Sequence, residues 1–209
     1  MSRRWPTSIL AATLFAVAAF AAGAQDRMPP LPTEKLTEEQ AQALAEFVAA
    51  RGQPTGPWIV LLRSPELMKR THGLSDYLRF ESVLPGYLRE FVILMTARQW
   101  GQSYEWNAHY PLAIDEGFSA EMAQAIAEGR RPEGMLEEEE ILYDFCTELQ
   151  RNHGVSDATY ERAVERFGEQ GVVETVSLVG YYTMISMILN TARTPLPSGA
   201  EPALAPFPY

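Results

Sequence analysis

The sequence predicts an all-α chain of about eight helices. Three observations carry this. Apolar residues recur at three- and four-residue spacing along most of the chain, strand-like alternation never persists beyond four residues, and helix caps and glycine stops recur at helix-length intervals. With 209 residues, 46% of them hydrophobic, the chain can bury one good core, and it has no internal repeat of 20–50 residues.

The elements follow in order. Residues 25–36 hold Pro29, Pro30 and Pro32 and read as an extended lead-in. Thr37 and Gln40 form a capping box for a helix in which Leu44, Phe47 and Val48 share a face, and Gly52 stops it. Gln53 to Pro57 is a loop. Ser64-Pro65-Glu66 opens a second helix, which Gly73 is expected to end, with a short helix over Ser75–Phe80. Pro85 opens the next. There Leu88, Phe91, Val92 and Met95 fill one side and Ile93, Leu94 and Ala97 the other, so burial on several sides is expected before Gly101 closes it.

Ser103 starts a helix reaching about Glu116, with Gly117 behind it, and a short helix runs from Ser119 to Gly129. After a Gly/Pro turn over 129–134, Glu137–Glu140 form the solvated first turn of a helix that buries Ile141, Leu142, Phe145, Cys146 and Leu149. Ser156-Asp157 caps a helix ending near Gly168. Gly171 to Ala192 is long and apolar with Glu174 its only charge. Its length would span a bilayer, but Glu174, Ser177, Thr183, Ser186 and Asn190 favour a buried central helix. The last 15 residues carry five prolines. The chain thus divides into a leader (1–24), an extension with one helix (25–57), a helical domain (58–197) and a Pro-rich tail (198–209).

The leader has Arg3 and Arg4, an apolar stretch from Ile9 to Ala22, and Ala22-Gly23-Ala24 before Gln25. This is the pattern of a secretory signal peptide, so a periplasmic or secreted location is expected, with no membrane attachment after cleavage; an uncleaved membrane anchor is the alternative. The net charge is −10, and −12 without the leader, which carries two arginines and no acid. Such a chain repels phosphate backbones, so nucleic acid is not an expected partner. The single cysteine, Cys146, excludes an internal disulfide and a CxxC redox pair.

Three histidines are present. His72 and His153 each precede a glycine at an expected helix end, where an imidazole can cap carbonyls. His109 lies inside a helix with Glu105 four residues before it, on the same face. A carboxylate there orients the ring and makes an acid–base pair that works near neutrality. Glu90 sits in the preceding helix on the stripe of Leu94 and Ala97. A two- or three-residue connection folds the two helices into an antiparallel hairpin that turns Glu90 back toward the pair. Pairing of Glu90 with Arg89 or Arg98 is the alternative. Pro111, two residues after His109, sets a condition: a helix beginning there would separate Glu105 from His109.

Several segments in order now resemble the carboxymuconolactone decarboxylase family: Ser64-Pro65-Glu66-Leu67; Tyr77-Leu78-Arg79-Phe80; Leu84-Pro85-Gly86-Tyr87-Leu88-Arg89-Glu90; Tyr104-Glu105-Trp106-Asn107-Ala108-His109 with Ala113 and Glu116-Gly117; Val155-Ser156-Asp157; and Glu174 with Gly180-Tyr181-Tyr182. The resemblance spans residues 58–197. It implies the alkylhydroperoxidase-D-like fold and assembly into trimers or hexamers.

In the peroxidase branch of this fold a glutamate, a CxxC pair and a histidine form a relay. Glu90 and His109 fall at the first and last of these, while Gln102 and Glu105 occupy the cysteine positions. Thiol chemistry at the site is therefore not expected. The decarboxylase branch implies no metal and no organic cofactor. The resulting expectation is an exported, cofactor-free decarboxylase or lyase-like enzyme acting on a small cyclic, lactone-type carboxylic acid. His109 would exchange the proton, Glu105 would tune it, Glu90 would be the second acid, and Trp106, Tyr104 and Gln102 would contact substrate. The familiar reaction of the family is cytoplasmic, so an exported member is expected to act on another small lactone or cyclic acid. The competing readings are a peroxidase-related protein that has lost its thiol chemistry, a non-catalytic helical oligomer binding a small apolar ligand, and a zinc or iron site on Glu90, Glu105 and His109.

Overall fold

The helix that is apolar on all sides takes the centre of the molecule. The structure is a computed structural model that describes residues 26–200 and 203–204, so the leader lies outside the described residues. Among these residues there are eight α-helices and no strand: α1 Glu38–Arg51, α2 Pro57–Leu61, α3 Pro65–Asp76, α4 Gly86–Gln99, α5 Ser103–Asp115, α6 Ala120–Ala127, α7 Glu137–Asn152 and α8 Asp157–Ala192. A π-helical turn, Tyr77–Glu81, follows α3 directly.

Helices α5, α6, α7 and α8 all pack on α4, whose Leu88, Phe91, Val92, Ile93 and Leu94 are fully buried. Each such side chain removed from water contributes about 1.5–3 kcal/mol before chain entropy is set against it. α1 packs on α3 and α2 on α8. The lead-in is pinned to the far end of the fold, where the Arg27 amide donates to the Ala192 carbonyl at 2.8 Å.

Several local expectations hold. The Thr37–Gln40 capping box is formed. Ser119 and Ser156 cap α6 and α8 with their hydroxyls. Pro111 lies inside α5, which continues through it, so Glu105 and His109 remain one turn apart on one face.

Other expectations are corrected. Gly73 does not end α3. It adopts an ordinary helical φ, and the buried face of Met68, Thr71 and Ser75 runs straight through it, so packing overrides the glycine. No separate helix starts at Ser75. His72 is therefore no cap: its ring lies within α3, 5.3 Å from the Phe47 ring and 5.7 Å from that of Trp58. Helix α2 has too few residues to show a period. It follows Gly56, whose φ of 53° suits glycine. Gly168 interrupts the last helix as expected, at φ 72°, but helical structure resumes at once and the two segments form one kinked element. By length and composition α8 is the one helix among the described residues that could cross a membrane, yet 56% of its apolar window is buried inside the fold.

Candidate active site

The α4–α5 hairpin brings the predicted trio together. Gly101, at φ 57°, and the Gln102 cap make the tight reversal between the helices. Glu90, near the start of α4, then faces His109 in the middle of α5, and His109 Nδ1 and Glu90 Oε2 are hydrogen-bonded at 2.7 Å. On the other side of the ring, Nε2 stands 3.6 Å from Glu105 Oε2. Glu90, Glu105 and His109 are 8%, 4% and 6% exposed, so none is spread into bulk water.

The three groups form a ladder with the imidazole as its middle rung. Because each ring nitrogen faces a different carboxylate, the groups do not converge on a common point. Among the described residues no group of three or more His, Cys, Asp or Glu side chains is arranged to hold a metal ion.

The ladder opens on a cavity of about 180 Å³. Glu105, Ala108, His109 and Leu112 line it from α5, with Tyr181, Tyr182 and Ile185 from α8 and Ser75 and Arg79 from the α3–π-turn segment. Arg51, Thr55, Pro57, Trp58 and Tyr104 close the remaining side. Glu90 lies behind the ring, outside the lining. Gly56 is required here: a Cβ at that position would fall 2.5 Å from the Tyr104 ring. For scale, an apolar cavity of roughly 150 Å³ accommodates benzene, so this space takes one small ring with a substituent.

Burial drives the electrostatics. It pushes the Glu105 carboxyl above its usual range, against the opposing pull of His109 and Arg79, and the negative charge of Glu90 adds to the rise. Glu105 is thus suited to hold a proton. Burial also raises Tyr182, whose ring meets His109 edge-on at 5.0 Å, and raises Tyr181 to about 12 against a hydrogen bond with Ser75. Both phenols therefore stay protonated at neutral pH.

Of the predicted substrate-contacting residues, only Tyr104 lines the cavity. Trp106 is buried in the core, stacked with Tyr110 at 6.4 Å, because a single residue step along α5 turns its side chain about 100° away from that of Glu105. Gln102 is spent on structure: its Oε1 accepts from the Tyr104 amide at 2.7 Å, and its Nε2 donates to Asn190 Oδ1 at 2.8 Å. Cys146 is fully buried on α7, outside the cavity lining, and burial pushes its thiol up to about 12. Arg51, Arg79, Tyr181 and Tyr182 were missed as cavity residues. Arg79 and the Tyr181-Tyr182 pair stand in segments that carry the family resemblance, which was the available signal.

The likeness to solved structures shows an all-α chain with the alkylhydroperoxidase-D-like fold. No protein-family model and no curated protein matches the sequence. Among solved structures, the debrominase Bmp8 in complex with 2,3,4-tribromopyrrole is similar with a TM-score of 0.66 at 11% identity, covering 84% of this chain and 94% of that one. An alkylhydroperoxidase AhpD-core, peroxidase-related protein from Ralstonia eutropha JMP134 has a TM-score of 0.66 at 16% identity over 82% of this chain and 92% of its own. A protein of unknown function from Agrobacterium tumefaciens, ATU0492, has a TM-score of 0.55 at 18% identity over 66% of this chain and 94% of its own.

Proposed function

We propose that this chain is an exported, cofactor-free acid–base enzyme that decarboxylates a small cyclic, lactone-type carboxylic acid. The observation that carries the reading is the Glu90–His109–Glu105 ladder, buried and open to a cavity sized for one ring. In such a substrate the bond between ring carbon and carboxylate breaks. Its electron pair moves into a conjugated carbonyl, and carbon dioxide leaves. A proton then goes from His109 Nε2 to carbon, replacing the lost carboxylate. Glu105, whose carboxyl burial raises above its usual range, resupplies Nε2, and Glu90 holds the opposite edge of the ring so that Nε2 faces the cavity. Bmp8 is shown with a single substituted five-membered ring, a ligand of the size this cavity takes.

The thiol-peroxidase alternative needs an accessible thiolate, and the burial of Cys146 argues against it. We further propose a homo-oligomer, a trimer or hexamer by resemblance. Leu74, Tyr77 and Val173 line one open apolar groove between α3 and α8, each well exposed. Export is part of the proposal and rests on the 1–24 segment alone.

The test is a screen of small unsaturated lactone acids for carbon dioxide release, with the wild type beside His109→Ala. Turnover that disappears in the variant is expected. Release that is equal in both, or found with no member of the set, removes the decarboxylase reading.

A further inference from the structure

Arg79 rests on the Phe80 ring and its charge pulls the Glu105 carboxyl down, but no ion pair among the described residues holds it in place. It sits on the π-helical turn between α3 and α4, half-buried, and lines the same cavity as Glu105 and His109. Its Nε is buried without a hydrogen-bond partner, and no carboxylate among the described residues forms an ion pair with it. The buried Nε is out of reach of the cavity, so a group bound there would meet the terminal nitrogens of the guanidinium, which are not buried in this way. Arg51, the other arginine of the lining, is already engaged: it pairs with Asp76 and stands 5.6 Å over the Trp58 ring.

The position of Arg79 is built, not incidental. A π turn widens the backbone and redirects side chains relative to an α turn. This one is clamped at both ends by Glu174, which accepts from Tyr77 Oη at 2.6 Å and from the Val83 amide at 2.7 Å. The Phe80 ring lies 5.0 Å from the Arg79 guanidinium carbon and holds it from one side. A planar, always-charged fork held beside a one-ring cavity matches one chemical group best, a carboxylate accepting two parallel N–H bonds.

We propose that Arg79 is the specificity-determining residue of the cavity and binds the carboxylate of a single-ring organic acid. The inference rests on the cavity's being the reacting site. It adds the residue that reads the acid and the size class admitted: one five- or six-membered ring bearing a carboxylate, not a larger fused system.

The experiment is calorimetric titration of the full chain with 2-furoate and benzoate, each beside its neutral amide. Wild type is expected to bind the acids at least tenfold more tightly than the amides. Arg79→Gln should abolish that preference, and Arg79→Lys should keep part of it, because a point charge remains without the fork. His109→Asn should retain the preference while losing turnover, which separates failure of this proposal from failure of the decarboxylase reading. Equal affinity for acids and amides in the wild type overturns the proposal, as does binding of neither. So does a preference that persists in Arg79→Gln or moves to Arg51→Gln. Melting curves of each variant identify any that does not fold, and Arg79→Lys, which keeps the charge and most of the stem, then carries the test.

Discussion

Glu105 and Glu174 are both 4% exposed and have opposite chemistry, but Glu105 lies deep against His109 while Glu174 lies just under the surface beside the exposed Tyr77 and Val83. Burial pushes both carboxyls up. At Glu174 the hydrogen bonds from Tyr77, Gln170, Ser82 and the Val83 amide outweigh it and hold the group at about 2. At Glu105 the nearest polar atom of the ladder is His109 Nε2 at 3.6 Å, and burial prevails. The contrast shows that low exposure alone does not make an acid reactive. Depth and the number of donors aimed at the carboxylate together decide whether it is a fixed anchor or can give up and regain a proton.

The strongest test of that contrast is at the middle rung. His109→Ala should lower the rate of carbon dioxide release by about 10²–10⁴-fold, the range for a lost acid–base group. Its circular dichroism should be unchanged, because the site is a cavity wall. Single-turnover and spectroscopic measurements check the two halves.

Glu174→Gln should reduce stability by about 2–4 kcal/mol, since several donors then face a neutral amide that accepts less strongly. The pH dependence has a definite sign. The folded Glu174 is depressed, so its contribution is present above the unfolded value near 4.5 and is lost as pH falls toward 2. Urea midpoints of the wild type should therefore fall through that window, and those of the variant should fall less.

Glu105→Gln should behave the other way. Its folded carboxyl is raised, so the native state binds the extra proton and the wild type loses stability from this group as pH rises above about 4.5. The variant should match the wild type near pH 4 and exceed it near pH 8. Its turnover should drop about 10–10²-fold and lose the alkaline decline that deprotonation of Glu105 imposes. A variant less stable than the wild type at pH 8 would contradict this account of the ladder.

The smallest effect is expected at Cys146. Cys146→Ser should leave turnover unchanged and lower stability by about 1–2 kcal/mol, from a hydroxyl placed in an apolar site. A turnover loss in this variant would return the thiol to the mechanism.

Much of this protein was legible in the order of its residues because the rules involved are local. Caps at Thr37, Ser119 and Ser156, the all-round apolarity of α4 and the four-residue step from Glu105 to His109 depend on neighbours within a turn or two. The short connection between α4 and α5 turned that local information into a contact, placing Glu90 against His109. Tertiary packing decided the rest. It carried α3 through Gly73 because a continuous buried face outweighs one glycine's propensity. It turned Trp106 and Gln102 away from the cavity, and it used Glu174 to clamp a π turn that no periodicity predicts. That turn sets Arg79 beside a histidine 30 positions along the chain, a juxtaposition between distant segments that only the folded packing creates.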